Sequence, residues 1–154
     1  MKKLLLILLC VPLIGFGQRH QTGCISGNCK NSTGTYVFAK DVWDRYDKYV
    51  GEFKKGMMHG QGTFTYANGD KYTGEYKKGV EDGKGTFIYE KEGEKYVGEF
   101  KDGKIQGEGI FTFSNGDEYV GEFNDGNRHG KGTYITADGQ VHKGLWHNGE
   151  LIGE

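Results

Sequence analysis

From Tyr49 onward, apolar and polar residues alternate with a period of two. Tyr49, Gly51 and Phe53 interleave with Val50 and Glu52, and Gly62, Phe64 and Tyr66 interleave with Thr63 and Thr65. That period puts successive side chains on opposite faces of a strand, so each run predicts one strand. Asn68-Gly69 and Asn115-Gly116, with Asp138-Gly139 as a similar pair, are two-residue signals for hairpin turns. The pattern predicts β-hairpins joined into one continuous antiparallel meander. One face collects Tyr49, Phe53, Phe64, Tyr66 and their counterparts, with Gly51 and Gly62 between them. The other face collects Glu52, Thr63 and Thr65. Glycine inside a strand is costly unless another group must approach the backbone closely. Here the pattern supplies an aromatic ring for that purpose.

The pattern is also periodic at a longer range. YVGEFKKGMMHGQGTFTYANGDK starts at Tyr49, YTGEYKKGVEDGKGTFIYEKEGEK at Tyr72, YVGEFKDGKIQGEGIFTFSNGDE at Tyr96 and YVGEFNDGNRHGKGTYITADGQV at Tyr119. A truncated fifth copy, HKGLWHNGELIGE, starts at His142, and one extra residue near Glu92 lengthens the second copy. Such self-similarity marks a repeat array in which each unit packs on its neighbours. The array spans residues 49–154. Residues 19–48 fit more loosely, as a degenerate cap in which Gly23 aligns with Gly51 and Gly34 with Gly62, with added residues around Val42 to Tyr46.

The pattern Y-x-G-E-F-x-x-G-x-x-x-G-x-G-T-F closely resembles the MORN (membrane occupation and recognition nexus) repeat. Gly51, Gly74, Gly98, Gly121 and Gly144 hold one motif position, and Gly56, Gly79, Gly103, Gly126 and Gly149 hold another. In the last copy His142 and Leu145 replace the usual Tyr and Glu. The resemblance implies an all-β fold, an elongated single-layer antiparallel meander, together with scaffolding and self-association. The family name also implies lipid association.

Residues 1–18, MKKLLLILLCVPLIGFGQ, join a basic start to an apolar run and a small-x-small site, the pattern of a cleavable signal peptide. The run is far short of the ~20 residues a spanning helix needs. A lipid anchor fits poorly, because Cys10 lies inside the apolar run and polar residues separate Cys24 from it. The expected location is exported, periplasmic or extracellular. Cleavage leaves Cys24 and Cys29, which in an exported chain most simply form one disulfide. A zinc site would need about four ligands, and no second pair exists. Cleavage also leaves 18 basic against 21 acidic residues, with no basic patch for nucleic acid.

Several stretches imitate chemistry. GNRHGKGTY, from Gly126 to Tyr134, looks like a phosphate-binding loop. It lacks the required spacing, though, and recurs as GMMHGQGT, GVEDGKGT and GKIQGEGI, so it reads as a structural turn preceding a strand. Glu52, Glu75, Glu99 and Glu122 would stand roughly 9–10 Å apart, two strand spacings, which an inverting carboxylate pair could use. Nothing distinguishes one from the next, so they read as a solvated charge ladder beside Lys54, Lys77 and Lys101. His59 and His129 share a motif position but fall three repeats apart. His142 and His147 have no acidic or cysteine partner fixed beside them.

The candidate binding surface is the aromatic face: Tyr49, Phe53, Tyr72, Tyr76, Tyr96, Phe100, Tyr119, Phe123 and Trp146. The sequence therefore predicts a non-enzymatic exported module with no cofactor, metal or catalytic residue. It would bind a protein or peptide along that face or at a sheet edge, with weak lipid contact as the alternative. An enzyme acting on envelope glycans is the third reading.

Overall fold

The computed structural model describes residues 22–38 and 45–154. Its regular structure is entirely β. The strands are β1 (Gly23–Gly27), β2 (Thr33–Val37), β3 (Lys48–Lys54), β4 (Met57–Thr65), β5 (Lys71–Lys77), β6 (Val80–Tyr89), β7 (Glu94–Lys101), β8 (Lys104–Thr112), β9 (Glu118–Asn124), β10 (Asn127–Ile135), β11 (Val141–His147) and β12 (Glu150–Gly153). They lie in one sheet in chain order, and each antiparallel neighbour is also the next in sequence. The predicted signal peptide lies outside the described residues, as do residues 39–44 of the added segment near Val42.

The two-residue turns do not sit where the Asn-Gly pairs predict them. They are Lys55-Gly56, Lys78-Gly79, Asp102-Gly103, Asp125-Gly126 and Asn148-Gly149, with both residues of every pair at positive φ. That is the type I′ geometry, whose twist matches the flanking strands. At Asn68-Gly69 only the glycine has positive φ, at +103°. There the Tyr66 and Asp70 backbones pair, and Gly69 N–H donates to the Tyr66 carbonyl at 3.0 Å. The connection is a type I turn closed by a left-handed glycine, so it needs three residues rather than two. Asn115-Gly116 and Asp138-Gly139 repeat this bonding.

The second strand of each hairpin is correspondingly longer than predicted. β4 begins at Met57, not near Gly62, because the segment after the I′ turn is already paired: Lys54 with Met57, Phe53 with Met58 and Glu52 with His59. The register then jumps, since Gly51 faces Gly62 and leaves Gly60 and Gln61 without partners on β3. Both pair on their other side, with Tyr76 and Glu75 of β5. A β-bulge of this kind bends the strand without ending it. The same holds for GNRHGKGTY, of which Asn127 onward is β10, with Gly130 at the bulge. Only its first residue belongs to a turn, which corrects the reading of the whole stretch as a turn preceding a strand.

Successive hairpins are tied together at both margins. Each I′ turn donates its glycine N–H to a carbonyl in the preceding unit: Gly79 to Met58, Gly103 to Glu81, Gly126 to Ile105 and Gly149 to Arg128, all at 2.9–3.0 Å. At the opposite margin, Asp70 accepts from the Glu90 N–H and Asp117 from the Ala137 N–H. Stability is therefore carried between neighbouring units, as expected of a stacked array.

In the N-terminal hairpin Gly34 lies opposite Gly27, and Gly23 lies opposite Val37. The glycine that takes the Gly51-like place is Gly27, four residues beyond the one sequence alignment selects. Cys24 and Cys29 are bonded to each other. Cys29 packs against Gly34 and the aromatic core, so close that a Cβ on Gly34 would come within 2.8 Å of its sulfur. The disulfide fills the place that a tyrosine ring fills in the full repeats.

Candidate functional site

The nine rings predicted to meet a partner are the core of the protein. Tyr49, Tyr72, Tyr96 and Tyr119 are 0% exposed, and Phe53, Tyr76, Phe100, Phe123 and Trp146 do not exceed 7%. They run across the sheet as one chain, Phe53–Tyr49–Tyr76–Tyr72–Phe100–Tyr96–Phe123–Tyr119–Trp146. Centroids are 4.8–5.2 Å apart and ring planes cross at 78–88°. Edge-to-face contacts of this kind each contribute about 0.5–1.5 kcal/mol beyond the area they bury.

Each tyrosine lies over two glycines. A Cβ on Gly51 or Gly62 would run into the Tyr49 ring, and the same relation holds for Tyr72 with Gly85, Tyr96 with Gly109 and Tyr119 with Gly132. The tyrosine hydroxyls donate to the carbonyls of Glu52, Glu75, Glu99 and Glu122 at 3.0–3.1 Å. Desolvation, aided by the Glu52 charge, pushes the Tyr49 phenol up to about 12. Burial likewise raises Tyr96 to about 12, and it raises Tyr66, Tyr72 and Tyr76 further.

A single-layer sheet buries these rings by covering them with its own side chains. One position, two residues after each I′ turn, holds Met58, Glu81, Ile105, Arg128 and Leu151. Met58, Ile105 and Leu151 pack on the core. Glu81 accepts a hydrogen bond from the Tyr66 hydroxyl at 3.1 Å. The Arg128 guanidinium lies 4.7–5.9 Å from the rings of Trp146, Tyr134, Phe113 and Tyr119, and it donates to the Gly149 carbonyl at 2.5 Å. Sequence reasoning missed this row. The available signal was that three of the five residues at that position are apolar where a polar turn was expected.

The aromatic surface that does reach solvent is a second row. Tyr36, Phe38, Phe64, Tyr66, Phe87, Tyr89, Phe111, Phe113 and Tyr134 are half-buried. They form their own chain, with centroids 4.5–6.0 Å apart and planes tilted by 39–54°. Phe64 and Tyr66 were placed on the correct face by alternation. What alternation cannot give is which rings of a face lie beneath the others.

On the opposite face a shallow groove of about 740 Å³ crosses the sheet. Its floor is glycine backbone, because glycines face one another across successive strand pairs, as in Gly74↔Gly85, Gly85↔Gly98 and Gly98↔Gly109. Thr86, Val97 and Ile110 line one side, and Glu75, Lys84 and Glu99 the other. Three of the four repeated glutamates accept hydrogen bonds from backbone N–H groups. Glu52 accepts the Gln61 N–H at 2.9 Å, Glu75 the Lys84 N–H at 3.1 Å and Glu122 the Lys131 N–H at 3.0 Å. These N–H groups belong to the bulges, so the carboxylates satisfy donors that the register jump exposes. Lys101 and Lys77 approach Asp82 instead, at 2.8 and 3.8 Å. Lys101, through its hydrogen bond and charge, lowers the Asp82 pKa.

His129 is brought beside His147, with ring centroids 5.2 Å apart, rather than beside its motif counterpart His59. Among the described residues no group of three or more His, Cys, Asp or Glu side chains could hold a metal ion. No helix among them is long and apolar enough to cross a membrane.

The comparison with curated proteins returns no match. The MORN-repeat profile matches residues 49–71, 72–93, 96–118 and 119–141. Each matched segment is one I′ hairpin with its ring, glycine pair and bulge, and together they cover more than half of the sequence: the chain belongs to the MORN-repeat family.

Proposed function

We propose that this chain is a non-enzymatic, exported interaction module that presents its second aromatic row to a protein partner. MORN repeats are in general interaction and scaffolding modules. The observation that carries the reading is the row itself, nine half-buried rings in one line along the sheet, beside a core already complete without a partner. Long contiguous apolar surface of this kind marks interaction sites. The exported location is supported by the N-terminal pattern and by the Cys24–Cys29 bond, a linkage that persists in oxidising compartments.

Site-specific photo-crosslinking in the native envelope tests the proposal. A crosslinker at Phe87 or Tyr89 is expected to give discrete adducts that one at Thr86, on the opposite face, does not give. Adducts from Thr86 alone, or from neither face, would overturn it. Flotation with anionic vesicles addresses the lipid alternative: salt-sensitive co-flotation of the mature chain would favour it over a protein partner.

A further inference from the structure

Glu81 and Arg128 occupy the same structural position in units two repeats apart, and Ile105 occupies that position in the unit between them. They lie on β6, β10 and β8, so the acid and the base each stand two strands, roughly 9–10 Å, from the central isoleucine. Both are half-buried on the aromatic face. Among the described residues neither makes an ion pair: Glu81 is held by a neutral phenol, and Arg128 by aromatic rings and a carbonyl. An unpaired charge on a largely apolar surface is costly and gains most from an opposite charge brought from outside.

We propose that two copies of this chain associate face to face through the aromatic side, about a two-fold axis at Ile105, with Glu81 of each copy pairing with Arg128 of the other. A two-fold contact requires self-complementarity: if residue i meets residue j, then j meets i. Glu81 and Arg128 meet that condition, being opposite in charge and equally spaced about the axis. Ile105 meets its own copy there, apolar against apolar. The axis that pairs Glu81 with Arg128 runs along the strands, so the same operation lays the second aromatic rows against each other. The proposal deepens the reading of the aromatic face as the interaction surface, since it makes a second copy the partner.

Sedimentation of the mature, disulfide-bonded chain tests it. The wild type is expected at twice the chain mass at micromolar concentration. Glu81→Arg and Arg128→Glu, each alone, set like charges against each other twice and should weaken association at least tenfold. An equimolar mixture of the two variants should recover it, because both cross-pairs are then complementary. A wild type of single-chain mass, single variants that associate normally, or a mixture that stays apart would each overturn the proposal. Because Arg128→Glu disturbs a packed site, Ile105→Cys gives an independent measurement. Cysteines at the axis should oxidise to a covalent dimer, and Val97→Cys on the opposite face should not; equal yields would overturn the proposal as well. A single-chain mass combined with face-specific adducts to another protein would remove the dimer and leave the interaction module standing.

Discussion

Tyr119 and Glu122, three residues apart on β9, serve the same bulge from opposite faces of the sheet. The Tyr119 hydroxyl donates to the Glu122 carbonyl at 3.1 Å, and the Glu122 carboxylate accepts the Lys131 N–H at 3.0 Å. The Tyr-x-Gly-Glu motif is thus one device: a ring for the glycine pair, a phenol for the glutamate carbonyl, and a carboxylate for the displaced N–H. Glu122→Ala should leave that N–H without its acceptor and cost about 1–2 kcal/mol. Urea unfolding measures this, and Glu122→Gln should recover part of the loss because its amide oxygen still accepts.

The glycine pairs separate two kinds of glycine. Gly62 lies under the Tyr49 ring, so Gly62→Ala must displace a fully buried side chain. The expected loss is about 3 kcal/mol, at the upper end for overpacking. Gly56 has open space where a Cβ would stand, but its φ is +77°. Gly56→Ala should therefore cost only about 1 kcal/mol of backbone strain. Equal losses at the two positions would sink the distinction between space and backbone conformation.

Much of this was legible in the sequence, and the boundary of what was not has a physical cause. Alternation placed Tyr49, Phe53, Phe64 and Tyr66 on one face because strand geometry leaves no other choice. The glycines announced the covering ring because nothing else makes glycine tolerable there. Lys55-Gly56 was passed over as the hairpin turn because lysine rarely takes positive φ, whereas Asn68-Gly69 carried the stronger local signal. The bulge at Gly60 preserves alternation while shifting register, so β4 looked shorter than it is. The burial of the nine candidate rings was hidden for a different reason: sequence distinguishes two faces of a sheet but not two depths on one face. Met58, Ile105 and Leu151, which cover the first row, are separated from it by a turn whose type had to be known first.

Raised phenol pKa values make stability depend on alkaline pH. Tyr49 and Tyr96 ionise near 12 in the folded protein, chiefly because burial disfavours the anion, against about 10 in the unfolded chain. Below pH 10 both states keep the phenolic proton, and these two tyrosines add no pH dependence. Between 10 and 12 the unfolded state releases protons that the folded state retains, so the unfolded state is favoured progressively as pH rises. Tyrosinate absorbance and loss of β-sheet circular dichroism should therefore rise together above pH 10. Full ionisation near pH 10 with an intact sheet would contradict the burial of the first row.

The Cys24–Cys29 bond closes a short loop at one end of the array, where it packs on Gly34. Reduction should cost about 2 kcal/mol by the loop-closure relation, and the loss should be local. Hydrogen exchange is expected to quicken in β1 and β2 while amides in β5 to β10 keep their protection, because each unit touches only its neighbours. Uniform loss of protection along the chain would instead mean that the cap holds the whole array.

Tyr76 departs from its counterparts in a way that predicts a stabilising substitution. Phe53, Phe100 and Phe123 fill the same place in the ring chain, but Tyr76 adds a hydroxyl that is buried without a hydrogen-bond partner. The ring itself is well used, 5.0 Å from Tyr49 and 5.1 Å from Tyr72, both edge-to-face. Removing only the oxygen keeps those contacts and relieves an unmet desolvation cost, a change worth about 1 kcal/mol or more. Tyr76→Phe should therefore raise the urea midpoint with an unchanged slope, as expected when stability shifts but the surface exposed on unfolding does not. Tyr119→Phe, made in parallel, removes a hydroxyl that donates to the Glu122 carbonyl and should lower the midpoint. Opposite signs for one chemical change, set by whether the phenol has a partner, are the expected result. A loss at Tyr76 equal to that at Tyr119 would show that its hydroxyl is satisfied in solution.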